Sequence, residues 1–148
     1  MAITSAICNS FKQEILEAEH NFATSGGNTF NLALYDSDAT LNKSTTVYTT
    51  SEELATTGGY TAKGNALTSV TPVLDSDTAV CDFANVSWSS ASFTANGCLI
   101  YNTTTASGSS TTDAVLTVAF GGDKTVTSGT FTIEFPAAAA STAILQLA

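Results

Sequence analysis

Arginine is absent from this chain of 148 residues, and four lysines stand against 13 acids, giving a net charge of −9. Nucleic-acid binding relies on Lys and Arg to displace counterions along phosphates, and on Arg to read or stack on bases. An acidic, arginine-free surface excludes that partner class, and an anionic membrane surface repels it for the same reason. Charged residues make up only 11% of the chain, far below the roughly 25% of an ordinary soluble domain. Cysteine is scarce too. Cys8, Cys81 and Cys98 are an odd count without metal-site spacing. They read as small apolar residues kept reduced in a cytosol. Cys81 and Cys98 can pair only if their strands are neighbours.

The motifs of catalysis are missing as well. There is no phosphate-binding loop with its lysine, no GxSxG and no HExxH. His20, the only histidine, has no partners at zinc-site spacing, and Glu17 and Glu19 beside it suggest a solvated helix face. Two carboxylates suffice for a glycosidase, yet Glu134 faces away from the Phe131–Phe135 stripe and has no evident partner. The pairs Asp36/Asp38 and Asp75/Asp77 each follow a strand in an "L-x-D-S-D"-like context but lack the continuation of a calcium loop. They read as turn residues, with a weak calcium site shared between subunits as the alternative. The sequence therefore predicts no catalytic residue, no cofactor and no metal. Sequons at Asn42, Asn85 and Asn102 follow from a Ser- and Thr-rich composition. "MAITSAICNSFKQEIL" lacks the basic region and unbroken apolar core of an export signal, and "AAAASTAILQLA" is too short and polar to span a bilayer. Synthesis in a cytoplasm is the expectation.

What the chain does have is 43% hydrophobic residues, a mean hydropathy of +0.17, and roughly three Ser or Thr in every ten positions. Thr is β-branched and suits a pleated, half-wet surface. High charge with low hydrophobicity would mark disorder; this chain has neither.

Two periodicities divide the sequence. Ile7, Phe11, Ile15 and Ala18 recur at helical spacing, predicting an amphipathic helix of about four turns. Thr4 or Ser5 would be its N-cap, and "SGG" at 25–27 would close it. From Asn28 the period becomes two. "TFNLALYD", "STTVY", "GGYTAKGNALTSV", "TPVLD", "TAVCDF", "AVLTVAF", "TFTIEF" and "TAILQL" read as short strands, with one helical turn at "SEEL". Pro72 fits an edge or a strand start. In "DFANVSWSSASFTANGCLIYN", residues 82–102, Val86 and Trp88 share a face, and Asn96-Gly97 marks a hairpin or a bulge. "GGDK" and "PAAAAS" separate the last strands.

About eight short strands predict a mainly β protein, an antiparallel β-sandwich resembling a jelly roll, with one N-terminal helix. Residues 1–27 are expected to form a helical arm and 28–148 a single sandwich domain. The expected core is Phe30, Leu32, Leu34, Val86, Trp88, Leu99, Phe131, Ile133 and Phe135. The helix either packs on the end of the sheet or docks on a partner. Ile7, Phe11 and Ile15, with Ile144, Leu145 and Leu147 of the last strand, form the expected interaction surface.

The run "FNLALYDSDATLNKSTTVYTTSEELATTGGYTAKGNALT", followed by "DFANVSWSSASFTANGCLIYN", resembles a family of small tailed-bacteriophage virion proteins. The likeness is concentrated between Phe30 and Tyr101. It continues more weakly in "FTIEFP" and in the "SFKQE" of the helix. "TAKGNAL" has one Gly where two are common, and "ANGCLIYN" lacks the charge often found before its Gly. The resemblance implies a capsid decoration (cement) protein or a minor head or tail protein, with no catalytic group. It implies a homo-oligomer, a trimer, on the phage major capsid protein, located in the virion after release by lysis. The alternatives are a tail-tube or connector element, or a tail or head-fibre component that contacts host carbohydrate through exposed tyrosines. Tyr35, Tyr48, Tyr60 and Tyr101 read first as structural residues of the sandwich, and as sugar-stacking rings only in that alternative.

Overall fold

A computed structural model describes residues 2–104 and 112–148. Among these residues the strands are β1 (Ala6–Ile7), β2 (Phe30–Tyr35), β3 (Asn65–Ala66), β4 (Ser69–Asp75), β5 (Thr78–Phe83), β6 (Val86–Asn102), β7 (Ala114–Ile133) and β8 (Leu145–Leu147). A helix, α1, spans Asn9–Leu16. The strands form a five-stranded sheet in the order β1-β7-β6-β2-β3 and a three-stranded sheet in the order β4-β5-β8. Every strand pair in both sheets is antiparallel. The mainly β, sandwich-like expectation is met.

The stretch 82–102 holds the end of β5, a corner and one long strand, β6, where several short strands are expected from the sequence. Val86 to Asn102 pairs continuously with β7, apart from local irregularities. Asn96-Gly97 makes no hairpin. Ala95 faces Lys124 and Gly97 faces Ala119, so Asn96 lies opposite Phe120–Asp123 in a wide bulge. "GGDK", expected as a turn between strands, is that bulge. Gly121 and Gly122 supply its left-handed backbone (φ 73° and 134°), and Asn96 Nδ2 donates to Asp123 Oδ1 across it. Gly97 is required for a different reason. A Cβ there would meet Val118 O at 2.6 Å and Ile3 Cδ1 at 2.7 Å.

The two sheets are joined at corners of two residues each, Leu67–Thr68 and Ala84–Asn85. Ala84 N donates to Thr68 O between them, so the ladder continues around the bend. The β4–β5 hairpin therefore leaves the large sheet and returns to it. Pro72 sits in edge strand β4 within a bulge, where two residues oppose Cys81 and no ladder donor is needed.

The shared core is aromatic where the sheets meet. Phe30 of β2 lies 5.7 Å from Phe83 of β5, ring centre to ring centre, and Phe22 lies flat on Phe30 at 4.4 Å. Phe30, Leu32, Leu34, Val86, Trp88 and Leu99 are buried as expected. Phe131, Ile133 and Phe135 are only half-buried, because the far half of the β6–β7 ribbon has no third strand beside it. Trp88 packs against Tyr60 and against its cross-strand partner Phe131. On the opposite face Ser87 meets Thr132 and Thr94 meets Thr125 through paired hydroxyls, which is where the Thr-rich coat lies.

"STTVY" and "TAILQL" give less strand than expected. Val47 makes a single bridge to Asp113, and β8 has only three residues.

Candidate functional site: an apolar groove beside the helix

The N-terminal segment is part of the fold. Thr4 N donates to Leu41 O, Cys8 N to Val115 O and Asn9 N to Lys43 O, while Ala6 and Ile7 pair with Thr117 and Leu116 of β7. Because those residues serve the sheet edge, the helix begins at Asn9, with Cys8 at its N-cap and no side-chain cap. The expected four turns are therefore two. The helix ends at Leu16 because Ala18 turns left-handed, φ 62°. Ala18 N reaches Ile15 O and Glu19 N reaches Glu14 O, the paired closing bonds of a helix terminus that usually has Gly in this place. A helix this short is not stable in isolation and forms by packing. Phe11 is its buried contact, against His20 at 4.9 Å and Phe22 at 6.0 Å.

His20 is buried, contrary to its expected place on a solvated face. Asn102 Nδ2 donates to its Nδ1 (3.1 Å), which leaves Nε2 to donate to Glu14 Oε2 (2.8 Å). Asn102 is itself satisfied, donating also to Asn28 Oδ1 and accepting from Thr104 N. Both ring nitrogens are thus engaged in holding the segment after the helix against β2 and β6. Nothing in this arrangement frees a base.

Between α1 and the three-stranded sheet lies an open groove of about 910 Å³. Ile7, Phe11, Ile15 and Leu16 line one side, and Leu145 and Leu147 line the other. Five of the six residues expected at an interaction surface thus share one cavity, and Ile144 lies outside it. Phe11 and Leu145 are buried within the chain and serve as its floor. Leu16 (87% exposed) and Leu147 (66% exposed) form its rim. Among the described residues no side-chain carboxylate is in the groove lining, and Lys12 is its one lysine, in a chain with 13 acids. The groove is apolar, wide and open to one side. That suits binding of another surface.

The other candidates have structural partners. Tyr35, Tyr60 and Tyr101 are buried and Tyr48 is half-exposed, in keeping with their reading as structural residues; the exposed rings of the carbohydrate alternative are not found at these four positions. Tyr60 Oη and Lys63 N donate to Glu53 Oε1 and Tyr48 Oη donates to Oε2, while Tyr35 Oη donates to Thr49 O and Tyr101 Oη to Lys63 O. These phenols fasten the segment 48–63 to the large sheet. Burial and the Glu53 carboxylate push the Tyr48 and Tyr60 hydroxyls well above the usual tyrosine range. The three cysteines are free thiols, and burial raises Cys8 to about 11 and Cys81 and Cys98 to about 12. Cys81 and Cys98 lie on different sheets. Asp36, Asp38 and Glu52 bring carboxylate oxygens within 4.8 Å of one another on exposed turns. Asp75 Oδ2 instead accepts from Ala140 N and ties the 134–144 loop to β4. Glu134 is exposed just past the end of β7.

No helix among the described residues is long and apolar enough to cross a membrane. Comparison with protein-family models, with curated proteins and with solved structures returns no match to this chain.

Proposed function

We propose that this chain is a non-enzymatic structural subunit of a tailed-phage virion, a decoration protein that cements the outer surface of the head. The observation that carries the reading is the groove beside α1: apolar, with no side-chain carboxylate among its described lining residues, and rimmed by leucines that stand in water in the isolated chain. A subunit of this kind works by burying apolar area against copies of itself and against the phage major capsid protein. A stable contact needs about 800 Å² per partner, more than the groove alone offers, so its rim and neighbouring strands belong to the same surface. The Thr-coated outer face and low charge suit a chain that is covered in an assembly. The sequence likeness to phage virion proteins supplies the virion, since fold alone does not specify function.

Quantitative mass spectrometry of purified virions, comparing this chain with the major capsid protein, tests the assignment. Near-equal copy number supports a decoration role. A few copies per particle moves the protein to the tail or fibres, and absence from particles overturns the reading.

A further inference from the structure

The β4–β5 hairpin is unlike the rest of the molecule. No residue of β4 is buried, and it carries Val70, Val73 and the 73%-exposed Leu74 in water. Its tip is a two-residue turn, Ser76-Asp77, with Ser76 left-handed (φ 56°) and Asp75 paired to Thr78. An apolar hairpin without cover needs an occupant for its surface. The same chain also has an open apolar groove.

The tip cannot fold back into its own groove. Pro72, Ala79 and Val80 of this same hairpin line the groove, so tip and groove are fixed along one rigid ladder. We propose that the β4–β5 hairpin of one copy seats in the α1 groove of a second copy. Charge complements this pairing at one point. Asp77 of the turn is exposed, and Lys12 is the one lysine or acidic side chain among the described residues lining the groove, so an incoming Asp77 meets a cation there and no lining carboxylate. Leu74 and Val73 would enter against Ile15 and Leu16, with Asp77 facing Lys12. The contact joins two different patches, so it closes either as a ring or as a reciprocal pair. This inference rests on the assembly reading above and names the segment that assembles.

Sedimentation velocity of the full chain tests it with two variants at exposed positions, Leu74→Asp in the hairpin and Leu16→Asp at the groove rim. Circular dichroism confirms that each remains folded. Wild type is expected to sediment as an oligomer and each variant as a monomer. A mixture of the two variants should recover a complex, because it contains one intact hairpin and one intact groove. A wild-type oligomer that Leu74→Asp leaves intact sinks the hairpin while self-assembly stands. Variants that stay monomeric when mixed also overturn the pairing. A wild type that is monomeric at all concentrations rejects the self-contact, and with it self-assembly in the absence of the shell.

Discussion

The side-chain amide of Asn102, at the end of β6, donates to Nδ1 of His20, a residue 82 positions earlier. This bond anchors the segment that closes the groove. Neither residue is exposed, so losing one leaves the other without its partner in a dry site. His20→Ala and Asn102→Ala are each expected to cost about 1–3 kcal/mol in urea unfolding. The double variant should cost less than the sum of the two, since both act on one network. Strict additivity would show that the bond contributes nothing of its own.

Ala18 is held at φ 62°, where the closing bonds of α1 require a left-handed residue. A Cβ in that conformation costs roughly 1–2 kcal/mol, and glycine avoids the cost while losing more entropy on folding. Ala18→Gly is therefore expected to stabilise the protein by about 0.5–1 kcal/mol. Thermal unfolding measures it, and an unchanged or lower midpoint counts against the cap geometry.

The same position explains why the sequence pattern overstates the length of the helix. Without Gly at its end, the apolar period ran on from Phe11 and Ile15 through Ala18 towards the glycines at 26–27. At its start, Ile7 fits the helical spacing equally well but pairs with Leu116, a residue more than a hundred positions away. Local spacing cannot register such a partner. Strands with one wet face, such as Val86–Trp88, were legible because alternation is local. "GGDK" was not, since a wide bulge and a turn both need left-handed backbone and so use the same residues. The groove was half legible. Its wall residues were named from their periodicity, but the burial of Phe11 and Leu145 comes from packing between distant segments.

Gly97 of β6 lies directly beneath the side chain of Ile3. An added methyl meets both a backbone carbonyl, Val118 O, and the tip of Ile3. Gly97→Ala is expected to cost about 1–3 kcal/mol through overpacking. Ile3 can yield and the carbonyl cannot. Shortening the side chain in Ile3→Ala/Gly97→Ala should therefore recover only part of the loss, as read from urea midpoints.

Buried thiols and phenols give the protein an alkaline limit. Cys8, Cys81 and Cys98 are raised from 9.0 to about 11, 12 and 12, chiefly by burial, and Tyr101 from 10.0 to about 12. Tyr35 and Tyr60 are raised in the same direction for the same first reason. Each group keeps its proton more tightly when folded than when unfolded. Its contribution is therefore complete below the unfolded value and is lost as pH climbs through the folded one. Urea midpoints should be flat up to about pH 8 and fall from pH 9 upward. Each buried group adds a slope of up to about 1.4 kcal/mol per pH unit, and half-exposed Tyr48 adds less. The thiols provide an independent check. Burial disfavours the thiolate of each in the folded protein, so a disulfide reagent such as DTNB at pH 8 should label all three quickly in urea and, in buffer, the buried Cys8 and Cys98 far more slowly. Cys81, partly buried at the open groove, should be the first of the three to react in buffer; rapid labelling of Cys8 or Cys98 would count against their burial.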